Sequence, residues 1–407
     1  MSGAAVITGI GVTAPNGIGV EEYWAAALAG RGGIGTMTRF DAGTYPSQLA
    51  GQVQGFVDED HVPSRLMPQT DRHTRLALAA AHEALTDAAV DPEALPEYDM
   101  GVVTAASGGG VEFGQRELGL LWSQGKEHVS AYQSFAWFYA VNTGQVSIRY
   151  GMRGPSGVIV TEQAGGLDAL GHARRQLRKG HTLVVSGGVD GALCPWGWAG
   201  QLATGLMSTS KDPNTAYQPF AATASGYVPG EGGAILIVED EEAAQRRGAA
   251  RVYGELAGYA ATLDPRPGVA PAQGESGLLR AARGAIADAG LTPADVDVVF
   301  ADAAGVPELD RIEAEALVAL FGPRGVPVTA PKTMTGRLLA GGAALDVATA
   351  LLSIRDGVIP PTVNVPEPAP GLPIDLVVGQ PRQSAPLVAL VLARGYGGFN
   401  AAVCVRG

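Results

Sequence analysis

The feature that most constrains the fold is an alternation of short, strand-like apolar runs with helical stretches along nearly the whole chain. Five such runs precede the polar segment "DEEAAQRRGAAR" and five follow it. They cover residues 5–10, 100–105, 158–161, 183–187 and 234–239, then 252–256, 296–301, 327–330, 385–392 and 401–405. Helical patterns over 75–89, 277–289 and 311–321 lie between them. The alternation predicts an α/β fold with mostly parallel sheets covered by helices, duplicated into halves at 1–247 and 248–407.

The composition excludes several classes of partner. The 407 residues carry a net charge of -12, so we expect no binding to nucleic acid or to anionic membrane surfaces. No segment approaches the run of about 20 apolar residues that spans a bilayer. The start, "MSGAAVITGIGV", has no basic region ahead of its first strand, which argues against a signal peptide. We therefore expect a cytoplasmic protein.

The cysteines and histidines predict no metal site. Cys194 and Cys404 lie far apart in apolar surroundings, as buried free thiols do in a reducing compartment. The chain has no CxxC, no HExxH and no other Cys/His cluster with the spacing of metal ligands.

A glycine motif at the first strand imitates a dinucleotide-binding fingerprint. "VITGIGVTAPNG" places Gly9, Gly11 and Ala14 just after a strand. Pro15 and Asn16, however, interrupt the helix that the fingerprint requires, and the glycine-rich "GRGGIGT" stands where an acidic residue is needed. We therefore expect no nicotinamide or flavin, and no other cofactor.

One segment has the form of an enzyme's strand-to-helix elbow. "VIVTEQAGGLDALGHARRQLRKG" begins as a buried strand, turns at "EQAGG" and continues with apolar residues at helical spacing. A nucleophile is often placed at such a turn, because the helix N-terminus favours an anion. Here the turn carries Gln163, whose neutral amide cannot attack a substrate.

Landmarks spread over the chain identify a family resemblance. "VITGIGVTAPNG", "PFAATASGYVPGEGGAILIVE", "DVDVVFADAAGVPELDRIE", "PKTMTGRLLAGGAALD" and "ARGYGGFN" resemble, in order, segments of the β-ketoacyl synthases. The resemblance implies the thiolase fold, with two βαβαβαββ halves in a five-layered αβαβα arrangement. It also implies dimerisation through the strand before the elbow, so that a proline at Ile159 would remove a hydrogen-bond donor from the interface.

Condensing members of that family use an elbow cysteine, two histidines and a lysine, with the thiolate carrying the acyl chain and the histidines stabilising developing negative charge. By this resemblance Gln163 stands in place of the cysteine, Ala304 in place of the first histidine and Arg337 in place of the second. Lys332 is retained, and Arg394 replaces the phenylalanine that gates acyl entry. We therefore expect no autonomous condensation by this chain.

The glutamine in "EQAGGLDALGHARR", with "SFAWFYAVNTGQ" and "CPWGWAG", resembles the ketosynthase β-subunits, or chain length factors, of bacterial type II aromatic polyketide synthases. The resemblance implies pairing with a catalytic ketosynthase α-subunit and with acyl carrier protein bearing malonyl or polyketide chains. The heterodimer builds a poly-β-ketone, and the β-subunit shapes its tunnel. Two alternatives stay open for Gln163, a structural plug or a decarboxylase of malonyl carrier protein that makes the acetyl primer. Lys332 similarly either takes part in chemistry or satisfies a buried acid.

The segment "GGGVEFGQRELGLLW" carries the predicted tunnel residues. Read as a helix, it places Val111, Gly114 and Leu118 on one face. In the chain length factors, the positions that these three resemble gate the end of the tunnel, and small side chains there imply a decaketide or longer product. The alternative for Gly114 is a tight helix crossing. The nearby aromatic cluster at 135–139 fits either the core or an interface.

Overall fold

The computed structural model describes residues 3–265 and 275–407. Its strands are β1 (Ala5–Ala14), β2 (Gly17–Ile18), β3 (Ile34–Thr36), β4 (Leu49–Gly51), β5 (Met100–Ala105), β6 (Ser156–Ile159), β7 (Leu183–Asp190), β8 (Gly232–Asp240), β9 (Gly254–Leu263), β10 (Val298–Phe300), β11 (Pro327–Thr329), β12 (Val358–Ile359), β13 (Asp375–Leu376), β14 (Arg382–Gln383), β15 (Val388–Gly395) and β16 (Phe399–Arg406).

The α-helices are α1 (Val20–Leu28), α2 (Asp58–His61), α3 (Arg72–Asp87), α4 (Val111–Gln124), α5 (Gln133–Ala136), α6 (Val141–Tyr150), α7 (Gly165–Leu177), α8 (Pro195–Leu202), α9 (Glu241–Arg246), α10 (Gly277–Asp288), α11 (Pro307–Phe321) and α12 (Ala340–Asp356). Short 3₁₀ turns cover Ser64–Gln69, Pro92–Ala94, Lys126–His128, Glu162–Ala164, Pro293–Asp295 and Pro331–Thr333. No helix in the described part of the chain is long and apolar enough to cross a membrane.

The main sheet confirms the predicted duplication. Its strands lie in the order β13-β11-β10-β15-β16-β9-β1-β8-β7-β5-β6. Each half contributes five strands in the same spatial order. They are β6-β5-β7-β8-β1 in the first half and β11-β10-β15-β16-β9 in the second. The halves join where β9 pairs antiparallel with β1 over only two residue pairs. All ten predicted runs overlap these ten strands, and each half follows the βαβαβαββ order.

Helices divide the molecule into the five predicted layers. α7 and α12 pack against each other and against strands of both halves, and they form the central layer. α3 covers the outer face of β1, β8 and β7, and α10 covers the outer face of β9 and β16. The largest apolar core surrounds α7 and α12, because both helices are buried on nearly every side.

The glycines of the first strand serve helix packing. A Cβ atom on Gly9 would lie 2.2 Å from the carbonyl oxygen of Ala84, and one on Gly11 would lie 1.9 Å from that of Ala80. Both carbonyls belong to α3, which therefore approaches β1 more closely than any side chain permits. The apparent nucleotide fingerprint is thus explained by close packing between a strand and a helix.

β6, the strand before the elbow, forms one edge of the main sheet and pairs only with β5 among the described strands. Ala106 N donates to Ile159 O at 3.1 Å, so the backbone polar groups of Ile159 point toward β5. Those of the alternate residues, Val158 and Val160, point to the free edge. The expectation for a proline at Ile159 was wrong, because it would disrupt pairing inside the chain and leave the exposed edge intact.

Candidate functional site

The predicted elbow is present at the carboxyl end of β6. The chain turns through the 3₁₀ segment Glu162–Ala164 and enters α7 at Gly165. Glu162 has a φ of +53°, a conformation that side-chain-bearing residues seldom adopt. Such backbone strain persists only where the surrounding structure enforces it, and it is common at active sites.

Gln163, at the tip of the elbow, is buried, with 5% of its surface exposed. In the orientation that satisfies its amide, Nε2 donates to Leu339 O at 3.1 Å and Oε1 accepts from Arg337 Nε at 3.2 Å. Leu339, whose carbonyl accepts this bond, immediately precedes α12 and has a φ of +50°. Both ends of the amide are therefore engaged by the protein itself.

Arg337 links the elbow to the loop after β10. Its Nη1 donates to Asp302 O at 2.8 Å, and its Nη2 donates to Asp302 Oδ1 at 2.9 Å and to Arg394 O at 3.2 Å. Burial alone would lower the pKa of Arg337, but the acidic groups around it, Asp302 foremost, together outweigh burial and raise that pKa well above its ordinary value. The guanidinium therefore stays charged, and each of its three nitrogens donates a hydrogen bond within the protein.

Asp302 lies between two guanidiniums. Arg394 Nε donates to Asp302 Oδ2 at 3.0 Å, and Arg394 Nη2 donates to Glu313 Oε2 at 3.0 Å. Burial raises the pKa of Asp302, but Arg337 and then Arg394 outweigh it and hold that pKa well below its usual range. Burial also raises the pKa of Glu313, which Arg394 partly opposes. Asp302 and Glu313 were not singled out from the sequence, because no local pattern marks acids that meet arginines far along the chain.

Ala304 lies in the same loop, where its methyl group lines the central cavity. The loop is held by carboxylates. Glu313 accepts from the backbone N–H groups of Asp302 and Ala303, and Asp310 accepts from that of Gly305 at 3.0 Å. A methyl group on so rigid a loop offers neither a proton nor a hydrogen bond to a substrate.

Lys332 lies behind this cluster. It is not among the described residues that line the central cavity. Its Nζ is 2.7 Å from Asp346 Oδ2 and also donates to Ala301 O. Burial raises the pKa of Asp346, and the Lys332 ammonium opposes that shift. This pairing favours the buried-acid interpretation of the lysine over a direct part in chemistry.

The central cavity has a volume of about 610 Å³. Among the described residues that line it, none is cysteine or histidine. Its charged lining residues are Glu162, Asp264, Asp302, Glu308, Arg337 and Arg394. Four carboxyl groups thus oppose two guanidiniums that are already engaged, and burial raises the pKa of Glu162. The cavity suits a neutral ligand better than an anion.

The three predicted tunnel residues occupy different environments on α4. Val111 lines the cavity, whereas Leu118 is 37% exposed. A Cβ atom added to Gly114 would lie 3.4 Å from Trp137 Cβ and 3.8 Å from Trp196 Cζ3, which is ordinary contact. The nearest atoms from other elements in the described part of the chain are side-chain atoms, so the tight-crossing alternative is wrong, and the glycine leaves space beside Trp196.

The aromatic cluster at 135–139 is not part of the core. Phe135, Trp137, Phe138 and Tyr139 are between 36% and 47% exposed. The edge residue Val160 is 45% exposed as well. Of the two predicted placements for this cluster, core or interface, its exposure favours the interface.

Three comparisons bear on these observations. The model of the β-ketoacyl synthase N-terminal domain matches residues 4–244, and that of the C-terminal domain matches residues 253–366. The tetracenomycin polyketide synthase ketoacyl synthase beta subunit of Streptomyces glaucescens is 61% identical over 402 residues, covering 98% of both chains.

Two solved structures are similar over the whole chain. The ishigamide ketosynthase/chain length factor has a TM-score of 0.90 at 28% identity, with 100% of this chain and 99% of that chain covered. The same TM-score and identity are found for a type II polyketide synthase acyl carrier protein in complex with its ketosynthase bound to the hexaketide, with both chains covered completely.

Proposed function

The chain belongs to the β-ketoacyl synthase family, and we propose that it is the chain length factor of a type II polyketide synthase. In this role it pairs with a catalytic ketosynthase α-subunit, which builds a poly-β-ketone from malonyl units on acyl carrier protein. This chain supplies part of the tunnel that sets product length. The observation that carries the proposal is the bonded cluster of Gln163, Arg337 and Asp302, because by the family resemblance Gln163 and Arg337 take the positions of the cysteine and one histidine of condensing members.

Condensation needs a nucleophile that can hold an acyl group and donors that stabilise an oxyanion. Gln163 offers no nucleophile, and its amide is bonded to Leu339 and Arg337. The free thiols of Cys194 and Cys404 are buried, and burial raises their pKa values to about 11 and about 12. Neither thiol therefore substitutes for the missing one. Two unpaired thiols also support our proposal that the chain works in the cytoplasm.

The alternative function, decarboxylation of malonyl carrier protein through Gln163, has less support. One N–H of Gln163 Nε2 is donated to Leu339 O, and Gln163 is not among the described residues that line the cavity, so its amide is poorly placed to bind a thioester oxygen. The cavity also carries more carboxyl groups than guanidiniums, which disfavours the malonyl carboxylate.

The exposed edge of β6 and the aromatic cluster at 135–139 support a large apolar interface on this side of the chain. We propose that the α-subunit covers both, with a strand pairing against β6. An obligate interface of this kind typically buries about 2,000 Å² or more. The small side chains at Val111 and Gly114 further support our proposal of a decaketide or longer product.

A reconstitution separates the two functions. The chain alone, the α-subunit alone and the mixture are each given malonyl-loaded carrier protein, and we expect polyketide only from the mixture. Mass spectrometry should find no acyl group on Cys194 or Cys404. In the mixture, Gln163→Ala should give the same product at a similar rate. A lag that added acetyl-loaded carrier protein abolishes would instead support decarboxylation.

A further inference from the structure

Two polar side chains in the central cavity have no hydrogen-bond partner among residues 3–265 and 275–407. Gln201 is 8% exposed, and both its Nε2 and its Oε1 are buried and unpaired. The Ser107 Oγ atom is also buried and unpaired. Both residues line the cavity. Buried polar atoms in native proteins are almost always paired, so each exception calls for a ligand or another explanation.

Hydrogen bonds hold the backbone at both residues. Ser107 N donates to Asp190 Oδ2 at 2.5 Å, which ties its backbone to the end of β7. Gln201 lies in the last turn of α8, where Thr204 Oγ1 donates to Gln201 O at 2.7 Å. The backbone at both residues is therefore fixed before a ligand binds, which reduces the conformational entropy that binding costs.

The surroundings of these groups are otherwise largely apolar and leave free space. Ala192, Gly197, Gly200 and Leu206 line the same cavity as Gln201. A Cβ atom on Gly200 would meet nothing within 4 Å, so the helix surface beside Gln201 is open. Neither Gln201 nor Ser107 carries charge, and the site therefore suits a neutral carbon chain that bears hydrogen-bonding oxygens.

We propose that Gln201 and Ser107 form a recognition site for the oxygen atoms of a poly-β-ketone chain. A poly-β-ketone carries an oxygen on every second carbon and exchanges between ketone and enol forms. The amide of Gln201 matches both forms, because Nε2 donates to a ketone oxygen and Oε1 accepts from an enol hydroxyl. The Ser107 hydroxyl donates to a further oxygen of the chain.

Such a site discriminates by the chemistry of the chain as well as by its length. A saturated acyl chain of equal size would leave the amide and the hydroxyl buried and unpaired, so it forgoes the binding free energy of those hydrogen bonds. The inference rests on the proposed function, since it concerns the same cavity. It adds to that function a preference for polyketone over reduced fatty acyl chains.

The test uses the reconstituted heterodimer and two probes. One is carrier protein bearing a hydrolysis-stable poly-β-ketone mimic, and the other bears a saturated chain with the same number of carbons. We expect the wild-type heterodimer to bind the ketone probe with a dissociation constant about tenfold lower than that of the saturated probe. This ratio corresponds to the net free energy of one to two hydrogen bonds. Gln201→Leu should bring the two dissociation constants together, and Ser107→Ala should reduce the preference by about half on a logarithmic scale.

Gln176→Leu is the matched control, because Gln176 is 9% exposed on α7 and bonds to His172 outside the cavity. It should keep the full preference. Equal binding of both probes by the wild type, or an unchanged preference in Gln201→Leu, would overturn the inference. Ser107→Ala provides the readout if Gln201→Leu fails to fold. Polyketide formation by the wild-type mixture, measured in parallel, shows whether the proposed function itself holds.

Discussion

The ion pair of Lys332 and Asp346 yields a prediction that separates a structural role from a chemical one. The 2.7 Å pair is buried on both sides, with 7% and 5% of the two side chains exposed. Replacing Lys332 by Met leaves a buried carboxylate without its counter-charge. Breaking a buried pair from one side costs about 3–5 kcal/mol. For a cooperative unit of 407 residues, an unfolding entropy of about 2.1 cal/mol/K per residue converts this cost into a melting temperature lower by about 5 °C.

The double variant Lys332→Met with Asp346→Leu removes both charges. Only Ala301 O then loses its donor, which costs about 1–3 kcal/mol, so the double variant should be more stable than Lys332→Met alone. The single variant should also be pH-dependent. Burial already raises the pKa of Asp346, and loss of the ammonium raises it further, so stability falls as pH increases from 5 to 8.

Thermal unfolding of the purified chain measures these stabilities, and polyketide yield from the reconstituted heterodimer measures function. We expect the double variant to support normal yield. A double variant that folds well but gives no polyketide would assign chemistry to Lys332. A single variant within about 1 kcal/mol of the wild type would contradict the assigned cost of breaking the pair.

Three further predictions follow from the tunnel helix, the edge strand and a buried acid. Val111→Phe, Gly114→Thr and Leu118→Phe together should shorten the polyketide without abolishing condensation; an octaketide from the unmodified heterodimer, or an unchanged length in the variant, would refute the tunnel assignment. Val158→Pro removes an N–H from the free edge of β6 and should reduce co-purification with the α-subunit, and full recovery would show that this edge is not the interface. Burial raises the pKa of Asp310 to about 7, so ionisation of this carboxyl group should lower the free energy of unfolding by about 3 kcal/mol as pH rises from 5 to 8. Denaturation measured at both pH values should show a smaller decrease in that free energy for Asp310→Asn than for the wild type.

Local patterns in the sequence were sufficient for the architecture. Strand and helix periodicity depend on neighbouring residues, and all ten predicted runs overlap strands of the main sheet. Two helix starts were placed too late. α3 begins at Arg72 rather than at residue 75. α11 begins at Pro307 rather than at residue 311, because a proline is well tolerated at the first position of a helix. The duplication was visible because each half repeats the same order of elements.

The site was only partly predictable. The resemblance to β-ketoacyl synthases predicted Gln163, Ala304 and Arg337 as replacements for the cysteine and histidines, and the structure places them at the elbow and around the cavity beside it. The acids that immobilise Arg337 and Arg394 were not predicted, because Asp302 is far from both along the chain and meets them only in the folded protein.

The sequence by itself determined the α/β class, the duplication and the absence of a thiol at the elbow, because these depend on residue types and on spacing along the chain. The tertiary structure decided which groups are left without partners. Gln201 and Ser107 look like ordinary polar residues in the sequence, and Gly9 and Gly11 look like a nucleotide motif. Hydrogen-bond satisfaction and close packing are relations between distant segments, and they exist only once the chain has folded.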